Sequence, residues 1–118
     1  MYRFVEQEKF EGKTIMAGGV TRISLRAMKH IPKVGVPTLV RGYSYRDKYG
    51  MIRTAVKVHG TLGTVRFGGF AWGYCGEGPR GLQELFDALG VIRDAGTIAP
   101  WCGWDAKRLG TQWKIKLS

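Results

Sequence analysis

From Met51 to His59 apolar and polar positions alternate. Ile52, Thr54, Val56 and Val58 fall on one side, and Arg53, Ala55, Lys57 and His59 on the other. A period of two is that of a β-strand, and the second set predicts a largely basic outer face. Gly63-Thr64-Val65-Arg66-Phe67 reads as its hairpin partner, joined through Gly60-Thr61-Leu62. The C-terminal stretch repeats the alternation, with Trp113, Ile115 and Leu117 opposite Gln112, Lys114 and Lys116. Val36 to Tyr45 is a further strand, with Pro37 near its start, where a missing N–H is tolerated.

One segment follows a helical period instead. Leu82, Leu85, Phe86 and Leu89 recur at i, i+3, i+4 and i+7, and Glu84 and Asp87 lie outside that stripe. Pro79 suits the first turn, and Gly90 suits the left-handed position after the last. The helix is therefore placed at Pro79–Leu89. Thr21 to Ile31 fits both periods; the reading adopted is a strand to about Ile23, then a short helix capped by Ser24 and ended by Pro32. These elements predict an α+β fold, a twisted and mostly antiparallel sheet with one main helix packed on it.

Composition narrows the classes. The 118 residues suit a single domain spanning 1–118, and 44% apolar content is enough to build a core, which excludes a disordered chain. No apolar run approaches the ~20 residues of a membrane span, and Met1–Glu6 lacks a signal-peptide apolar region, so a cytoplasmic protein is expected. Nineteen Lys and Arg against nine Asp and Glu give +10, and the excess is uneven. Residues 1–60 hold 12 basic and 4 acidic side chains, residues 61–118 hold 7 and 5. A field of this sign serves solubility, or favours nucleic acid, a phosphorylated small molecule or an acidic protein surface.

Ahead of the helix, Trp72 and Tyr74 precede Gly76, Gly78 and Gly81, and Arg80 stands in the first turn. A helix N-terminus offers unpaired N–H groups and positive potential, Arg adds a planar cation, and the aromatics supply stacking faces. These parts suit a phosphate with a base attached. The alternative is a tight connection in which Trp72 is core and Glu77 merely complements the helix start. Gly76-x-Gly78-x-x-Gly81 is formally GxGxxG, but no βαβ unit surrounds it.

The string Phe70-x-Trp72-Gly73-Tyr74-x-Gly76-x-Gly78-Pro79-x-x-Leu82 resembles the signature of a small bacterial and phage domain family of unknown function. More loosely, it resembles small phage proteins of the Thoeris anti-defence type. The resemblance covers residues 63–90 and none of the first 60. It implies an oligomeric binder that sequesters a cyclic nucleotide immune signal without cleaving it, in the host cytoplasm. Trp72, Tyr74, Gly76, Gly78, Pro79 and Arg80 are the positions it carries over.

Two other sets compete for attention. Arg41, Arg46, Arg53, Lys57 and His59, with Tyr43 and Tyr45, describe a basic and aromatic sheet surface of the kind that binds single-stranded nucleic acid, or else a solvated face. Trp101-Cys102-Gly103-Trp104, followed by Lys107 and Arg108, reads as a stacking site, a subunit interface or a pair of core plugs. Signs of catalysis are few. His30 and His59 have no partner visible in sequence, Cys75 and Cys102 form no metal-binding spacing, and Cys75 beside a helix start is the one hint of reactivity. The expectation is a non-enzymatic binder without cofactor or metal. Its ligand is a nucleotide-type molecule at Trp72, Tyr74, Gly76, Gly78 and Arg80. The alternative is a basic interaction or inhibitor protein docking on nucleic acid or an acidic protein through Arg41, Arg46, Arg53 and Lys57.

Overall fold

The computed structural model describes residues 7–9, 13–17, 21–101 and 106–117. The elements are β1 (Gln7–Lys9), β2 (Lys13–Ala17), α1 (Thr21–Ala27), a 3-10 helix (Met28–Val34), β3 (Pro37–Arg46), β4 (Ile52–Gly60), β5 (Gly63–Phe67), α2 (Glu77–Leu89), a 3-10 turn (Ala106–Arg108) and β6 (Gly110–Lys116). The fold is α+β. Six strands form one sheet in the order β1-β2-β5-β4-β3-β6, antiparallel throughout except where β2 runs parallel to β5.

The alternation of β3, β4 and β5 sorts their side chains onto two faces. Val40, Val56, Val58, Val65 and Phe67 are fully buried on one, where Leu82, Leu85 and Phe86 of α2 meet them. Each such aliphatic or aromatic burial stabilises by roughly 1.5–3 kcal/mol. Phe70, Trp72 and Trp113 complete this core, with Trp113 edge-on to both Trp72 and Phe86 at 5.5 Å. Trp113 lies flat over Gly42, where a Cβ would come within 2.4 Å of the indole. The β3–β6 register shifts just beyond that pair, from Gly42↔Trp113 to Tyr43↔Thr111, so Gln112 is the extra residue of a bulge.

α2 starts two residues earlier than the sequence predicts, at Glu77, which puts Pro79 third in the first turn, where its missing N–H still costs no intrahelical bond. It stops as predicted. Gly90 is left-handed (φ 73°), its N–H donates to the Asp87 carbonyl, and the Val91 N–H donates to Phe86 across the last turn. Gln83 then pins the returning chain, donating to the Arg93 carbonyl and accepting from the Ala95 N–H.

The expectation of a strand before Ser24 is corrected. Helix α1 begins at Thr21, and Ser24 is buried inside it rather than capping it. The reason is tertiary. Thr21 and Ser24 stand one turn apart, and both hydroxyls bond Gly69: Thr21 Oγ1 donates to its carbonyl at 2.6 Å and Ser24 Oγ accepts from its N–H at 2.9 Å. Pro32 does not end this region but sits within the 3-10 helix, which runs to Gly35 at φ 81°. Among the described residues no helix is long and apolar enough to cross a membrane.

Candidate nucleic-acid interface

The second face of the sheet is left open by α2, and its residues follow from register. Across four strands, Lys114, Arg41, Lys57 and Arg66 are direct cross-strand neighbours: Arg41 pairs with Lys114 on β6 and with Lys57 on β4, and Lys57 pairs with Arg66 on β5. With strands ~4.8 Å apart, this is a row of four cations about 14 Å long. Along β3, β4 and β5 the open-face positions hold Leu39, Arg41, Tyr43, Tyr45, Arg53, Ala55, Lys57, His59, Thr64 and Arg66, with no acidic residue among them. Like charges directly opposite destabilise a sheet, so the row costs the fold something.

Two tyrosines lie beside the row. Their rings are 5.8 Å apart and tilted by 42°. Arg41 lies over Tyr43 at 4.9 Å, Lys57 over the same ring at 5.3 Å, and Arg66 over Tyr45 at 5.0 Å. Arg66 Nε also donates to the Tyr43 hydroxyl at 2.8 Å. The cations thus rest on aromatic rings rather than on carboxylates. Among the described residues, the ion pair at this face is Arg53 with Asp47, at 2.8 Å, at the far end. Asp47 also accepts from the N–H groups of Tyr49 and Met51, and the Arg53 bond leads the interactions that hold its carboxyl below the usual range.

Crowding of positive charge shows in the titrating groups. Lys57 is pushed below the ordinary lysine value by partial burial first, then by Arg41 and Arg66. His59 is likewise pushed down by burial, then by Arg41 and Lys57. Arg41 Nε donates to His59 Nε2 at 3.1 Å, so the ring proton sits on Nδ1, facing Thr64 Oγ1 at 3.1 Å. His59 is therefore a neutral acceptor that holds Arg41 in the row. A lysine lowered beside Arg41 and Arg66, with no acidic residue at the open-face positions of β3, β4 and β5, is electrostatically suited to an anion.

Of the surface residues expected from sequence, Arg41, Arg53 and Lys57 share this face. Arg46 does not: it alternates to the other side at the end of β3, where its guanidinium bonds the Gly50 carbonyl. Arg66 was missed, although its place between Val65 and Phe67 puts it opposite two core residues, and that alternation is the signal that finds it.

The glycine-rich segment is arranged otherwise. Trp72 is 0% exposed in the core, so it offers no face to a base, and the stacking role expected of it is corrected. Gly78 is buried against Ala71, 2.9 Å from where its Cβ would stand, and Gly76 lies under the Tyr74 ring; these glycines let α2 pack closely on the chain before it. Tyr74, Gly76 and Arg80 do share a shallow groove of about 370 Å³ with Cys75, Gln83 and Asp94. The Asp94 carboxylate accepts from the Gly96 N–H there and places negative charge in the same groove. Cys75 is an exposed free thiol, and Cys102 and Trp104 lie outside the described residues. Among the described residues no three His, Cys, Asp or Glu gather as metal ligands.

Comparison with protein-family models, with curated proteins and with solved structures finds no match to the chain.

Proposed function

We propose that the chain binds single-stranded nucleic acid across the open face of its sheet. The observation that carries this is the cross-strand row Lys114–Arg41–Lys57–Arg66, with no acidic residue at the open-face positions of β3, β4, β5 and β6, bordered by Tyr43 and Tyr45. The row supplies phosphate contacts, and the tyrosines supply platforms on which unpaired bases stack. On binding, the side chains resting on the rings swing to the phosphates and bases take their place. A duplex, whose bases are already stacked, gains only the phosphate contacts. The recognition is of backbone and base faces, so it tolerates sequence.

A second reading rests on the groove at the start of α2. Its volume of about 370 Å³ falls in the ~300–1,000 Å³ range of small-molecule sites. Tyr74 and Arg80 there suit a nucleotide-type ligand such as the cyclic signal that the resemblance implies. Asp94 opposes an anion in that groove, whereas the open-face positions of β3, β4 and β5 hold no acidic residue.

The test is fluorescence polarisation with a labelled oligothymidylate about twelve nucleotides long, within the ~4–16-nucleotide range of such sites. Tyr43→Ala is expected to weaken binding ~5–100-fold, the scale of one stacked base, and Arg93→Ala, beyond α2, to leave it unchanged. Equal loss in both variants, or no binding at low salt, removes the proposal. Loss on Arg80→Ala alone favours the groove.

A further inference from the structure

At the Tyr45 end, where β5 no longer pairs with β4, a cleft of about 260 Å³ opens at the β4 edge, lined by Met51, Arg53, Phe70, Tyr74 and Trp101 and, from the helix side of the sheet, by Thr21. Arg53 joins the open face to this cleft, being the direct cross-strand neighbour of Tyr45 and part of the cleft wall. We propose that this cleft takes one unstacked base from the end of the strand that lies on the sheet, an inference that rests on the sheet-face reading.

Three features fit a base and not a phosphate. Tyr74 and Trp101 form the rim edge to face, with centroids 5.0 Å apart, and they remain 40% and 41% exposed. They are thus unlike Trp72 and Trp113, which are absorbed in the core. Exposed paired aromatics at the mouth of a cavity are a stacking surface with one side open. Second, Arg53 is the one charged residue among the described lining residues, and its charge is matched by Asp47, which it holds at 2.8 Å. A cleft so matched gains little from an anion and much from a planar apolar ring. Third, the volume is below the ~300–1,000 Å³ of sites that enclose a larger ligand, enough for a ring system but not for a whole nucleotide with its phosphate.

The wall is preorganised. Thr21 Oγ1 donates to the Gly69 carbonyl and Thr54 Oγ1 to the Phe70 carbonyl, tying both hydroxyls to the backbone that forms the floor. The cleft therefore opens without a side chain having to vacate it. The sheet row and Tyr43 hold the strand, and the cleft registers where it ends.

The experiment is an abasic scan. One abasic site is moved through the oligothymidylate of about twelve nucleotides, and affinity is measured by polarisation for the wild type, Trp101→Ala and Tyr74→Leu. In the wild type one terminal position is expected to cost ~10-fold or more when its base is removed. In either variant that position becomes neutral, while internal positions keep their cost, which also shows that the folded face is intact. Trp101→Phe is expected to restore most of the terminal effect. The inference is overturned if the scan is the same in wild type and variants. In that outcome Tyr43→Ala still weakens binding, and the sheet-face reading stands. If the wild type binds no oligonucleotide at low salt, both readings fall together.

Discussion

The two faces of the sheet are built from the same strands, one residue out of step, and they answer to opposite demands. On the helix side Val40, Val56, Val58 and Val65 are fully buried in the core closed by α2, α1 and the 3-10 helix. On the open side Arg41, Lys57 and Arg66 stand abreast with no carboxylate between them. The first arrangement lowers the free energy of the fold. The second raises it, because like charges are paired across strands and Lys57 and His59 are driven from their ordinary pKa values by burial and by neighbouring cations. A surface that merely kept the protein soluble would mix signs and avoid such pairing. The difference teaches that the charge of this chain is organised by register and not only by composition.

The comparison is broken most sharply on the buried side. Phe86 is fully buried and edge-on to Trp113. Phe86→Ala is expected to lower unfolding free energy by about 3–5 kcal/mol, read from the urea midpoint, with no selective effect on nucleic-acid affinity in the fraction that stays folded. On the open side the pattern reverses. Lys57→Gln removes the central charge of the row, so the urea midpoint is expected to stay or rise slightly, while the slope of log affinity against log salt falls by about 0.7, the share of one single-strand phosphate contact. A drop in stability without a change of slope contradicts the assignment.

The smallest expected effect is the most diagnostic of the row. His59 is neutral in the free protein, accepting from Arg41 and facing Lys57. Its pKa is below the ordinary value of ~6.5, so the unfolded chain binds a proton more readily; this contribution to stability is present above pH ~6.5 and is lost as pH falls through that range. A bound polyanion offsets Arg41 and Lys57 and makes protonation easier. Affinity is therefore expected to rise modestly between pH ~7.5 and ~5.5, and His59→Gln to flatten that profile. A wild-type profile that is already flat separates His59 from the interface.

Much of this was legible in the residues themselves. Period-two alternation located β3, β4, β5 and β6 within a residue or two, and the i, i+3, i+4, i+7 stripe with its terminal Gly90 located α2, because those signals are local and repeat every turn or pleat. The basic outer face of β4 was legible for the same reason. What the tertiary structure decided is what depends on partners distant in sequence. β1 and β2 have no clear local period and join through a parallel pairing with β5 some fifty residues on. Thr21 and Ser24 become helical around Gly69, far along the chain. Trp72 and Trp101 are the same residue type in similar glycine- and proline-rich company, yet one is core and the other rims a cleft, since burial is set by what packs on a side chain and not by its neighbours in sequence. The row itself needed register: four cations scattered from position 41 to position 114 become adjacent only when β6 returns to pair with β3, which no local pattern can state.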